Sequence, residues 1–339
     1  MKFGTVPVEE AIGAIAAHSV RAGEVVLKKG STIGAEDAAR LQAAGIRTLV
    51  AARLEPGDVG ENEAALRLAR AIAGTHVAVE RPFTGRSNLF SEAAGILLVD
   101  RAAVDAVNGV DEAITAATLP AYKPVVPGEM IGTVKIIPYA VPEELLDRAL
   151  RRAATALSVA PYRRRRVGVI STLLPGLKPS VIEKTLAVLG RRLEPAGAVV
   201  SSESRVAHDT EALATVLAEA AAGEAEAIVI FGASAIADRR DVIPAAIEAA
   251  GGRVEHFGMP VDPGNLLLVG SLEGKPVLGA PGCARSPKEN GFDWVLQRVL
   301  ADVPVSRADI AGLGVGGLLM EIVSRPQPRA GGPRAEEEG

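Results

Sequence analysis

The sequence predicts an α/β protein: a three-layer α/β/α domain with a mostly parallel sheet, preceded by a smaller α+β region. Three observations carry this. From Val167 onward, short β-branched runs alternate with helix-length segments, the signature of βαβ units. Apolar residues make up 48% of the chain but aromatics only 3%, so the core is aliphatic and suits helices packed on a sheet. The length of 339 residues leaves room for two domains.

Taken in order, PVEEAIGAIAAHSV (7–20) predicts a helix with proline in its first turn. AEDAARLQAAGI (35–46) predicts a second, with Gly45 as its C-terminal stop, and RTLVAAR a strand. EPGDVG is a turn, and ENEAALRLARAIAG a helix closed by Gly74. HVAVERPF, AGILLVD and GTVKIIPYAV predict strands, with TGRSN (84–88) as a polar surface loop and RAAVDAVN as a short helix. PEELLDRALRRAATAL (142–157) is strongly amphipathic. The four arginines 163–166 read either as a nucleic-acid or phosphate patch or, more simply, as a solvated linker with charge at a strand entry. VGVIST, AVVSSESRV, AEAIVIFG and RVEHFGM then predict strands separated by the helices KPSVIEKTLAVLGRRLEPAG, DTEALATVLAEAAAG and RRDVIPAAIEAAGG. After them, LLLVGS, a turn at EGK and PVLGAPG predict a hairpin. The expected organisation is an α+β region over 1–160, the α/β domain over 161–325, and a Pro/Gly/charge-rich tail or linker over 326–339.

Composition narrows the function. Lys and Arg total 37 against 41 Asp and Glu, a net charge of −4, which speaks against a general nucleic-acid binder. A single cysteine excludes an internal disulfide and fits a reducing compartment. The opening residues lack a secretory-signal pattern and no long run is free of charge, so a soluble, cytoplasmic protein without membrane contact is expected. No G-x-G-x-x-G follows the first α/β strand, which argues against a nicotinamide-dependent dehydrogenase.

In open α/β sheets, ligands bind at the carboxyl ends of the strands. STLLPGLKPS (171–180) and FGASAIADRRD (231–241) are such loops. Gly232, Ala233 and Ser234 are small enough for a ligand to approach the backbone. Asp238, Arg239, Arg240 and Asp241 read two ways: as a grip on Mg²⁺ and a phosphorylated ligand, or as charges at a helix start with Asp241 as its cap. Asp209 has the same ambiguity, and Lys178 and Lys184 offer cations near the first loop. Arg285, Ser286 and Lys288 form an anion-friendly group beside Cys283, whose thiol is either a metal ligand or a small buried hydrophobe. Asn290, Phe292 and Trp294 read as seating the last helix, with Trp294 as a core anchor, and His208 and His256 as isolated structural histidines.

Four segments carry a resemblance: VGVIST, RVAHDTEAL, AIVIFGASAIADRRDVIPAAIEAAGG and MPVDPGNLLLVGSLEGKPVLGAPGCARSP. Residues 167–300 resemble the molybdopterin-binding domain shared by molybdopterin adenylyltransferases and molybdopterin molybdotransferases, the insertases of molybdenum-cofactor biosynthesis. VPVEEAIGAIAAHSV and KKGSTIGAEDAARLQAAGIRTLVAAR are more loosely similar to the insertases' amino-terminal part. The resemblance implies molybdopterin as ligand, with Mg²⁺, ATP or AMP, and molybdate as companions. It makes Asp241 the counterpart of the family's functional aspartate, acting on Mg²⁺ with Asp238. It places Thr172, Asp209, Gly232, Ala233, Ser234, Pro281, Gly282, Cys283, Arg285 and Ser286 around the pterin or its phosphate. It also implies a homo-oligomer that works with cofactor-biosynthesis or molybdoenzyme partners. The chain departs from the family in three ways. Thr172 is followed by LLPGLKPS instead of Gly-Asp-Glu, the double glycine is replaced by GAS, and the insertases' carboxy-terminal β-domain has no counterpart. These departures set a second expectation beside catalysis, a non-catalytic molybdopterin carrier or scaffold serving a nucleotidyltransferase or molybdoenzyme.

Overall fold

A computed structural model describes residues 1–319 and divides the chain into two compact units that meet between Pro161 and Tyr162. The tail expected over 326–339 lies outside the described residues.

In the first unit, strands Lys2–Pro7, Thr48–Arg53 and Ile15–Ala16 form an antiparallel sheet with Thr48–Arg53 in the middle. The helix Ala35–Ala43 closes a small core of Val8, Ile33, Leu41 and Leu49. The helix expected over 7–20 is absent. A single 3-10 turn, Val8–Glu10, is followed by strands Ile15–Ala16 and Val20–Ala22. Gly13 sits at φ +83°, which an α-helix forbids, and its N–H goes across to the Ile33 carbonyl. The apolar spacing that looked helical is used instead to bury Val8, Ala11, Ala14 and Ala16 from an irregular chain.

The rest of this unit holds a four-stranded antiparallel sheet, in the order Ile114–Thr118, Met130–Ile136, Arg86–Ser91, Val77–Val79. Helices Glu61–Ile72, Arg101–Asn108 and Glu143–Ala153 share a core with it through Leu68, Ile72, Leu89, Val107, Ile136 and Leu146. The TGRSN segment is not a surface loop beyond its turn at Thr84 and Gly85, because Arg86–Ser91 is a strand. Ser87 is fully buried there, and its hydroxyl donates to the Glu80 carbonyl at 2.9 Å, so a polar residue occupies the sheet interior without an orphaned group.

In the second unit the elements are β1 (Arg166–Leu173), α1 (Pro179–Leu193), β2 (Val199–Ala207), α2 (Thr210–Ala222), β3 (Ala227–Phe231), α3 (Val242–Ala249), β4 (Arg253–Phe257), β5 (Leu268–Leu272), β6 (Lys275–Ala280) and α4 (Gly291–Leu300). The sheet runs β2-β1-β3-β6-β5-β4. β2, β1, β3 and β6 are parallel, and β5 and β4 complete it as an antiparallel edge. The mainly parallel α/β sheet expected from the sequence is therefore present. Central strands of such sheets are covered on both faces, so β3 (AIVIF) is apolar and buried at every position. One face packs Ile170, Ile228 and Ile230 against Leu213 and Leu217 of α2 and Ile243 and Ile247 of α3. On the other, Phe231 meets Phe292 of α4 with ring centroids 6.5 Å apart. Phe292 is the fully buried anchor of α4, whereas the expected anchor Trp294 is only half-buried and donates its indole N–H to Glu289 at 2.9 Å.

The arginine run at the entry of β1 is tied down more firmly than a solvated linker. The N–H groups of Arg165 and Arg166 donate to Glu226 Oε2 at 2.5 and 2.9 Å, and Arg166 Nη2 lies 3.0 Å from Oε1. Those two backbone donors, more than the guanidinium, hold the Glu226 carboxyl below its ordinary 4.5. A carboxylate with a depressed folded pKa contributes stability above its unfolded value and loses it as pH falls through the folded one. Glu226→Gln is therefore expected to destabilise the chain at neutral pH and to flatten its acid-induced loss of stability below 4.5. Urea midpoints measured across that range check it, and an unchanged acid limb contradicts it.

Candidate functional site

The strand order reverses between β1 and β3. The chain leaves β1 through α1 to reach β2 on one side, then returns through α2 to β3 on the other. In open α/β sheets such a reversal marks the ligand-binding crevice at the carboxyl ends of the strands. Three segments border it: residues 174–178 after β1, 232–241 after β3, and 281–290 after β6.

Thr172, the penultimate residue of β1, is fully buried. Its Oγ1 accepts the Ala233 N–H at 2.8 Å and lies 2.8 Å from His208 Nδ1. The hydroxyl can donate to Nδ1 or accept a proton from it, as the imidazole tautomer dictates. One hydroxyl thus joins the ends of β1 and β2 to the loop after β3. Beside it, the Ser171 hydroxyl is buried without a hydrogen-bond partner among the described residues. Gly232 is required where it stands, because a Cβ there would lie 2.6 Å from the Ser234 carbonyl oxygen and 2.9 Å from Ile243 Cδ1.

Arg285 reaches this loop from the other side. It closes a 3-10 turn, Gly282–Arg285, that follows Pro281. Its Nη2 donates to the Gly232 carbonyl at 3.0 Å and its Nη1 to Thr185 Oγ1 of α1 at 2.8 Å, and its guanidinium lies 5.4 Å from the Phe231 ring centroid. No carboxylate comes within ion-pair distance among the described residues, and burial pulls the guanidinium below its ordinary pKa. Arg285 is thus a half-buried cation without an acidic partner among the described residues, held by two hydrogen bonds and an aromatic ring.

The closing segment is held from beneath by Arg192, a residue the sequence reading passed over. Arg192 is 8% exposed near the end of α1. It donates to the carbonyls of Ala284 (2.8 Å), Ser286 (2.8 Å) and Lys288 (3.2 Å) and pairs with Asp293 of α4 at 2.5 Å. Asp293 also accepts the Asn290 N–H at 2.8 Å, and the Asn290 side chain returns to the Phe292 N–H at 3.0 Å, a capping box that starts α4. Cys283 is half-buried in the turn, and its carbonyl accepts from the Ser286 N–H and from Asn290 Nδ2.

The remaining expected residues are dispersed. Asp241 caps α3: Oδ1 accepts the Val242 N–H at 2.7 Å and Oδ2 the Ala237 N–H at 3.0 Å. Asp238 is exposed and paired with Arg240 at 2.7 Å. Asp209 caps α2 by accepting the Glu211 and Ala212 N–H groups at 3.0 Å. Ser234, Gly282, Lys178 and Lys184 are exposed. Among the described residues, no three His, Cys, Asp or Glu side chains gather to hold a metal ion. The structure therefore links Thr172, Gly232, Ala233 and Arg285 by hydrogen bonds, with Pro281, Cys283 and Ser286 in the segment that carries Arg285. It adds His208, Thr185, Asn290 and Arg192, of which only His208 and Asn290 had drawn notice, each as a structural residue.

No helix among the described residues is long and apolar enough to cross a membrane. Residues 168–302 match a family model described as a probable molybdopterin binding domain, and residues 5–53 match a domain of unknown function (DUF8806). No curated protein sequence matches the chain. Among solved structures, a molybdopterin biosynthesis MoeA protein from Pyrococcus horikosii is 16% identical with a TM-score of 0.32, covering 89% of this chain and 75% of its own. Molybdenum cofactor biosynthesis protein B is likewise 16% identical with a TM-score of 0.31, covering 41% of this chain and 96% of its own. Residues 168–302, within the second unit, are thus similar to the molybdopterin-binding domain family by its model.

Proposed function

We propose that the chain binds molybdopterin at the carboxyl edge of the β1–β3 crevice and acts on it as a transferase of the adenylyltransferase or molybdate-insertase class. Arg285 carries this reading, as a half-buried guanidinium with no acidic partner that hydrogen-bonds the very loop a ligand must approach. It fits the phosphate end of the pterin, because guanidinium donors match phosphate oxygens in pairs. The unpartnered Ser171 hydroxyl and the backbone of Gly232, Ala233 and Ser234 supply further polar contacts. Mg²⁺ fits less well as a resident ion, since both Asp241 oxygens already accept backbone N–H groups and Asp238 is paired with Arg240. In this reading Mg²⁺ enters on the phosphates of ATP, as that ion commonly does, with Asp241 and Asp238 as the carboxylates of the adjoining loop.

The occupied Asp241 carboxylate also favours a second reading, a molybdopterin carrier that hands its ligand to a nucleotidyltransferase or molybdoenzyme without chemistry of its own. Incubating the purified chain with molybdopterin, Mg-ATP and molybdate separates the two. Adenylylated or molybdenum-loaded pterin is the result expected of the transferase. Tight binding without product leaves the carrier, and absence of binding removes both. Cytoplasmic location and self-association belong to the same proposal.

A further inference from the structure

The first unit contains a cluster of cations outside the sheet-edge site. Arg148, Arg151 and Arg152 lie on one turn of the helix Glu143–Ala153 and line a cavity of about 190 Å³. Ala106, Gly109 and Val110, from the end of the helix Arg101–Asn108 and the residues just after it, form the remaining wall. None of the three guanidinium groups has a hydrogen bond or ion pair with the chain among the described residues. Spacings of three and four place them on one helix face, where like charges repel. Elsewhere on the same helix Glu143 and Asp147 both pair with Arg67, and Glu144 in the first turn forms no ion pair among the described residues. Acids near the opposite wall are engaged otherwise: Asp105 pairs with Arg101, and Asp111 accepts the Ala113 N–H. Position near a helix carboxyl terminus explains why arginines are tolerated there. It does not explain why three of them surround a hollow whose opposite wall is small and apolar.

We propose that this hollow is a second anion site, which takes the phosphate or diphosphate group of a small ligand. Three planar donor forks around a concavity suit a tetrahedral oxyanion with two or three negative charges, and each can bind it through paired N–H groups. A cavity of about 190 Å³ holds a diphosphate group, whereas an acidic peptide needs an open groove. The inference does not depend on the pterin reading, because it rests on different residues in the other unit.

The test uses the full chain carrying Arg285→Met, so that the sheet edge does not contribute, and titrates it calorimetrically with pyrophosphate and with ATP. One saturable site is expected, weakened at least tenfold when Arg151→Ser and Arg152→Ser are added and weakened by added salt. Tighter binding of ATP would identify the ligand as a nucleotide, and tighter binding of pyrophosphate a free phosphate compound. Both arginines are exposed, so the variants keep their fold, which circular dichroism verifies. Absence of binding by the Arg285→Met chain, or binding unchanged by the added serines, overturns the proposal.

Discussion

Arg192→Met is expected to destabilise the second unit by about 3–5 kcal/mol, the usual loss when one partner of a buried ion pair is removed. Methionine fills a similar volume, so the loss is polar in origin. It leaves Asp293 without its cation and three carbonyls, of Ala284, Ser286 and Lys288, without a donor. Because those carbonyls belong to the segment that carries Arg285 and Ser286, the same change is expected to abolish ligand binding at the sheet edge below the melting temperature. A double-mutant cycle with Asp293→Asn measures the pair. Strong coupling is the expected outcome, and additive effects would remove the pair as the organiser of the segment.

Arg285→Met is expected to behave in the opposite way, with stability within about 1 kcal/mol of the parent and a large loss of anion affinity. Burial already disfavours the Arg285 charge, and no carboxylate is left unpaired by its removal. Thr185 keeps its hydroxyl bonded to the Val181 carbonyl, so only the Gly232 carbonyl loses a donor. A hydrogen bond to a charged group contributes about 1.5–3 kcal/mol, or roughly 10- to 150-fold in affinity. Denaturant midpoints and phosphate titrations on one preparation check both halves. A stability loss as large as that of Arg192→Met would make Arg285 structural.

The two residues show where the sequence was legible. β1 and β3 could be read directly, because a strand covered on both faces must be a continuous apolar run, and VGVIST and AIVIF leave little choice. Asp209 and Asp241 read two ways from their place before helices, as caps and as ligand contacts, and both cap helices. Arg285 drew notice as a candidate because it stands in a loop among other polar groups. Arg192 did not, since a basic pair in the last turn of a helix is what a solvated helix end also shows, and its partners are 92 to 101 residues away. His208 was seen as isolated for the same reason, as Thr172 lies 36 residues before it and meets it only across the sheet edge. At the amino terminus, alanine and isoleucine at helical spacing misled, because one left-handed glycine at position 13 redirects the chain and pairing satisfies its backbone.

In the proposed function, the β1–β3 edge of the second unit holds molybdopterin through Arg285. Titrating the purified chain and its Arg285→Met variant with molybdopterin, followed by pterin fluorescence, tests it most directly. Saturable, one-to-one binding to the parent is expected, with an affinity reduced at least tenfold in a variant of unchanged stability. Equal affinity in the two proteins, or no saturable binding to the parent, would contradict it.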